Sequence, residues 1–125
     1  MIFDTDILIW TQKGNLKAAK LIDQAEERMI SVQTYMELFQ CAQSKAQHKV
    51  MHNFLRQCEF EVLPFTENIG HRAAIYIEEY TLDCGLRAGD AIVAATAVEN
   101  GLALLTSNQK HFRAIKDLRL KIFKP

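Results

Sequence analysis

Met1-Ile2-Phe3-Asp4-Thr5-Asp6-Ile7-Leu8-Ile9-Trp10 decides the fold. Ile2 and Phe3 belong to an apolar run too short for a helix. Two carboxylates and a hydroxyl follow, and the apolar pattern then resumes through Trp10. Such a stretch reads as a buried strand that ends in acid and turns into a helix over Asp6 to Trp10. In open α/β sheets ligands sit in the crevice beyond the carboxyl ends of the strands, which places Asp4 where a metal or phosphate would be held.

The rest of the chain repeats this short-strand, helix rhythm. Lys13-Gly14 stops the first helix, and Asn15 caps a second that runs from Leu16 to about Glu27 with Ala19, Ile22 and Ala25 at nearly helical spacing. Met29-Ile30 is a second strand. Ser31 caps a helix to about Cys41, Ser44 opens another toward Cys58, and Glu61-Val62-Leu63 is a third strand stopped by Pro64. Thr66 starts a long helix that Gly85 ends. Gly89-Asp90 opens a small apolar helix from Ala91 to Val98, closed by Asn100-Gly101. Leu102 to Thr106 is a fourth strand, a turn of helix spans Gln109 to Phe112, and Leu120 to Phe123 is an edge strand. The pattern predicts an α/β three-layer sandwich, with a short, mostly parallel central sheet covered by helices on both faces.

Bulk properties narrow the class. A chain of 125 residues fits one domain, residues 1–125, and can bury roughly two thirds of its unfolded surface. Cys41, Cys58 and Cys84 are odd in number and form no C-x-x-C pair, so they read as reduced thiols. Fifteen basic residues cancel fifteen acidic ones, which excludes a global basic field; any contact with nucleic acid must be local. There is no signal-peptide pattern and no apolar run of membrane-spanning length, so the expectation is a soluble cytoplasmic protein.

Polar chemistry stands at strand ends or helix starts in four places: Asp4, Glu37, Asp90 and Thr106-Ser107-Asn108. Each has a local explanation. Asp4, Asp6 or Asp90 could cap a helix, and Thr34-x-x-Glu37 has capping-box spacing. Ser31 is nevertheless the better helix start. That puts Glu37 more than a turn inside, among Tyr35, Met36, Leu38 and Phe39, where a carboxylate is costly unless paired or ligating. A shared cation explains all the acids together, because clustered carboxylates stay ionised at neutral pH when a divalent ion sits among them. Hard oxygen donors select Mg²⁺ or Mn²⁺, and the natural reaction of such a centre is phosphodiester hydrolysis by an activated water.

The opening Asp4-Thr5-Asp6-Ile7-Leu8-Ile9, the segment Ser31-x-x-Thr34-x-x-Glu37-Leu38, the helix Asp90-Ala91-x-x-Ala94-Ala95-Thr96-Ala97 and Leu105-Thr106-x-Asn108-x-x-His111-Phe112 together resemble the PIN-domain ribonucleases. Closest are the VapC-type toxins of toxin–antitoxin pairs. The resemblance implies a metal-dependent endoribonuclease that acts on RNA, is usually a homodimer, and is held inactive by an antitoxin. By that mapping Asp4, Glu37 and Asp90 match the acidic ligands and Thr106 a hydroxyl beside them. A further acid common in the family is replaced here by Asn108 and His111, which favours one metal over two; Asp6 could supply part of that charge, and Asp6 and Asn108 are candidates to support the ligands from behind.

Other features carry less. His48-x-x-x-His52 has the spacing of a helical zinc pair but lacks a third ligand, and reads as a solvated face. Arg87 and Lys110 lie on the rim of the acids and are candidates for RNA phosphate contacts, with ordinary surface charge as the alternative. Trp10 and Phe39 read as core or interface, and Tyr76 and Tyr80 as a packing pair. Three rival functions remain. A haloacid-dehalogenase-like phosphatase shares Asp4-x-Asp6, but its threonine comes too late and Ala94 replaces an aspartate. A phosphoacceptor receiver lacks its acid after the third strand. The third is a PIN fold that binds without cutting.

Overall fold

The computed structural model describes residues 1–125. In chain order the elements are β1 (Ile2–Phe3), α1 (Thr5–Gln12), α2 (Leu16–Gln24), β2 (Met29–Ser31), α3 (Val32–Cys41), α4 (Lys45–Gln57), β3 (Glu61–Leu63), α5 (Glu67–Cys84), α6 (Ala88–Glu99), β4 (Leu104–Thr106), α7 (Gln109–Phe112) and β5 (Leu120–Ile122). The five strands form one sheet in the order β3-β2-β1-β4-β5, and every pairing is parallel. The sheet is therefore wholly parallel, and β5 is an edge as its sequence suggests.

Side-chain alternation along these strands builds two separate cores. Ile2 and Leu104 join the residues of α5, α6 and α7 on one face. Their neighbours Phe3 and Leu105 join Ile7, Leu8, Ile22, Leu38 and Leu55 of α1 to α4 on the other. The alanines of α6 are the reason it lies close to the sheet: Ala91, Ala94, Ala95 and Ala97 are fully buried. No helix is long and apolar enough to cross a membrane.

The caps read from sequence hold the helices. Asn15, Ser31, Ser44 and Thr66 each accept a backbone N–H of the first turn they open. Gly85 ends α5 at φ +71°, a conformation that costs any residue with a Cβ. Several boundaries differ from the expectation; among them α1 begins at Thr5 rather than Asp6, β4 at Leu104 rather than Leu102, and β5 ends at Ile122 rather than Phe123. α2 stops at Gln24 rather than Glu27, because the Arg28 guanidinium folds back onto the Ile22 and Asp23 carbonyls and satisfies them without another turn. α6 begins at Ala88 rather than beyond Asp90, so Asp90 is its third residue and not its N-cap.

The strand order also disposes of one rival. β3 sits at the outer edge beside β2, whereas a receiver domain needs its third strand next to the first. Winding reverses between β1 and β4, and that switch point is the crevice in which open α/β sheets bind their ligands.

Candidate active site

Asp4 leaves β1 at the switch point and N-caps α1, its Oδ1 accepting Thr5 N at 2.8 Å. Its Oδ2 accepts the Thr106 hydroxyl at 2.7 Å, across from the end of β4. That hydroxyl in turn accepts Asn108 N at 3.0 Å, which ties the loop after β4 to the first turn of the chain. Burial, joined by the charges of Asp6 and Asp90, pushes the Asp4 carboxyl up to about 7 against the two hydrogen bonds it receives. Asp4 thus does cap a helix, but capping leaves an acid under strain.

Asp6 lies one residue further on, in the first turn of α1. Its Oδ2 accepts both the backbone N–H of Ser107, at 2.9 Å, and the Ser107 hydroxyl. Its Oδ1 is buried with no hydrogen-bond partner. An unpaired buried carboxylate oxygen is costly and calls for a cation or a proton.

Glu37 is the sixth residue of α3, half-buried and turned toward the same crevice. Thr5 Oγ1, 3.1 Å from Thr34 Oγ1, donates to Glu37 Oε1 at 3.0 Å, so the residue beside Asp4 also orients Glu37. Burial and the Asp90 charge raise the Glu37 carboxyl, opposed by hydrogen bonds from Thr5 and Gln33. Ser31 caps α3 through Thr34 N at 3.0 Å, which removes the Thr34–Glu37 capping box and leaves the glutamate for other work.

Asp90 reaches back from α6 to accept Arg87 N at 3.3 Å, the glutamate's half of a capping box performed by an aspartate. The same Oδ2 lies 3.0 Å from His111 Nδ1, and Asn108 Nδ2 lies 2.9 Å from that nitrogen. His111 thus meets Asp90 directly, and Asn108 meets the His111 ring rather than Asp90. Gly89 lets α3 and α6 approach here, since a Cβ at that position would stand 3.0 Å from Gln33 Nε2.

The structure brings Asp4, Asp6, Glu37, Asp90, Thr106 and Asn108 to one crevice. It also brings Thr5, Ser107 and His111, whose pairings the sequence did not disclose. The only signal was a hydroxyl flanked by two acids at a strand end. Arg87 and Lys110 are exposed at its rim, and their side chains make no ion pair. His48 and His52 pack around Phe39 on α4, far from any third ligand.

The donor set fits a hard divalent cation: carboxylate oxygens, one of them orphaned, in a crevice where negative charge is already raising a pKa. As the side chains stand, no three carboxylate, imidazole or thiol groups form a ready cage. An ion would take one or two carboxylates and complete its shell from water or substrate, the habit of Mg²⁺. None of the surface hollows is lined by these acids.

A family model described as "PIN domain" matches residues 1–118, and the chain belongs to the PIN-domain family. Solved structures agree with that. A chain of a toxin–antitoxin complex from Klebsiella pneumoniae is 30% identical over 94% of this chain and 93% of its own, with a TM-score of 0.77. A chain of FitAcB from Neisseria gonorrhoeae is 25% identical over 95% and 94%, with a TM-score of 0.74. VapBC-1 from nontypeable Haemophilus influenzae shares the fold at 24% identity over 98% of both chains, with a TM-score of 0.79. No curated protein sequence matches this one.

Proposed function

We propose that the protein is a divalent-metal-dependent endoribonuclease, the toxin half of a cytoplasmic toxin–antitoxin pair, acting as a homodimer and silenced by its antitoxin. The observation that carries this reading is the crowding of acids at the β1–β4 switch point, with Asp6 Oδ1 buried and unpaired beside Asp4. The 30% identity to a chain of a toxin–antitoxin complex supports the biological role.

Asp4 and Asp90 are the residues that would hold Mg²⁺ or Mn²⁺, with Glu37 and Asp6 completing the negative pocket. When bound, such an ion makes a water a stronger nucleophile and offsets the charge that builds on the phosphorus oxygens. The chain's own contribution is positional. Thr106 and Thr5 fix both oxygens of Asp4, and His111 fixes one oxygen of Asp90. Glu37, raised by burial and aimed by Thr5, accepts a proton from the attacking water. Thr106 keeps its proton on Asp4 and does not take part in the displacement.

A PIN fold that binds without cutting is the second reading, favoured by the His111 contact that occupies an oxygen of Asp90. Incubation of purified protein with RNA and Mn²⁺ decides between them: fragments that disappear in folded Asp4→Asn and Asp90→Asn variants support the nuclease. Intact RNA under all conditions favours the binder, and turnover of an aryl phosphate without RNA cleavage favours the phosphatase. Co-purification with the product of the adjacent reading frame tests the antitoxin.

A further inference from the structure

On the face opposite α5 and α6, a groove of about 500 Å³ runs between α2 and the edge strand β5. Four lysines border it: Lys17 and Lys20 from the helix, Lys121 and Lys124 from the strand and the residue beyond it. In a chain of zero net charge this is a concentrated positive strip. None of the four makes an ion pair. Exposed Asp23 stands three residues from Lys20 on α2, and Glu26 and Glu27 share an adjoining cleft with Lys121, yet none of them pairs with a lysine of the strip.

The strip is built rather than scattered. Lys17, Lys20, Leu21 and Gln24 stand at i, i+3, i+4 and i+7, one continuous face of α2, while Ala18 and Ile22 bury the opposite face. Lysine on an edge strand discourages unwanted strand pairing, and that accounts for Lys121. It does not account for Lys17 and Lys20, which sit on a helix with no edge to guard. The groove also leads toward the acids. Its floor includes Leu105, the residue before Thr106, and Phe123 N donates to the Thr106 carbonyl at 2.8 Å.

We infer that this groove is a second RNA-binding site, holding the phosphate backbone of nucleotides that flank the cleaved bond. The assignment rests on the nuclease reading above and names a substrate contact apart from the acids. Charge complementarity selects the occupant, since lysine ammonium groups are hydrated point charges suited to successive phosphates. The apolar floor seats the sugars and base edges between them.

The test compares wild type with Lys20→Glu/Lys121→Glu and with the milder pair Lys17→Gln/Lys124→Gln, each shown to be folded by circular dichroism. Binding of a labelled single-stranded RNA of about twelve nucleotides is followed by anisotropy across a salt series in EDTA, where nothing is cut. The charge-reversal pair is expected to bind at least about tenfold more weakly, and loss of two phosphate contacts is expected to flatten the log–log salt slope by about 1.4. Cleavage of a dinucleotide in Mn²⁺ is expected to stay at the wild-type rate.

If wild type cuts RNA while both folded variants keep full affinity and slope, the groove assignment falls and the nuclease stands. If wild type neither binds nor cuts RNA of any length, both fall. Should the variants lose binding of an acidic peptide such as poly-glutamate but keep RNA affinity, the groove belongs to a protein partner and the assignment is overturned.

Discussion

Replacing Asp4 with asparagine should make the metal-free protein more stable while abolishing its activity. Asp4 ionises near 3.8 in the unfolded chain and near 7 when folded. Between those values the native state keeps a proton that the unfolded state has released, so stability falls as pH rises from about 4 to about 7 and is level above. The shift corresponds to about 4 kcal/mol as an upper bound. Glu37, also raised, adds a smaller effect of the same sign. Asparagine keeps the Thr5 N–H on its oxygen, and its amide can donate to a rotated Thr106 hydroxyl, so the uncharged side chain loses little. The assay is thermal unfolding in EDTA at pH 5 and pH 8. Wild type should melt lower at pH 8, and Asp4→Asn should melt higher than wild type there, by on the order of ten degrees if the full penalty is relieved. Mn²⁺ at about a hundred times its dissociation constant should restore on the order of 3 kcal/mol to wild type and nothing to the variant. An Asp4→Asn protein that melts below wild type at pH 8, or a wild type whose midpoint is the same at both pH values, would refute the reasoning.

Other residues give sharper functional readouts. Glu37→Gln keeps the Thr5 hydrogen bond but cannot accept a proton, so kcat for RNA cleavage should drop by about two to four orders of magnitude with KM little changed. His111→Ala releases Asp90 and should weaken Mn²⁺ binding by about ten- to a hundredfold in calorimetry, and an unaltered affinity would mean the imidazole merely packs. Gly89→Ala removes a helix-weakening glycine, worth about 1 kcal/mol, but pushes its Cβ against Gln33. It should leave the melting temperature level or higher while lowering the cleavage rate; a clear loss of stability would show that Gln33 cannot give way. Gly85→Ala forces a Cβ into a left-handed turn and should cost about 1 kcal/mol of stability without touching the rate.

The helices were legible because their signals are local. Asn15, Ser31, Ser44 and Thr66 announce starts, and Gly85 a stop, through bonds made within four residues. Two of the boundaries that moved did so for tertiary or unmarked reasons. Arg28 ends α2 from outside it, and α6 starts just after Arg87, a residue type that advertises no cap. Asp4 and Thr106 could be placed in the crevice because both close apolar runs that read as central strands. The bonds of Asp6 to Ser107, Thr5 to Glu37 and Asp90 to His111 join residues 101, 32 and 21 apart, and no periodicity encodes which rotamer meets which. The order β3-β2-β1-β4-β5 was likewise silent in the pattern, since five short apolar strands fit several windings.

The hydroxyl that secures Asp4 stands 102 residues later in the chain. The first turn to be translated therefore has to wait for β4, and until then Asp4 emerges without the hydroxyl that orients it. The central place of β1 in the sheet thus makes assembly of the crevice a late, non-local event in folding.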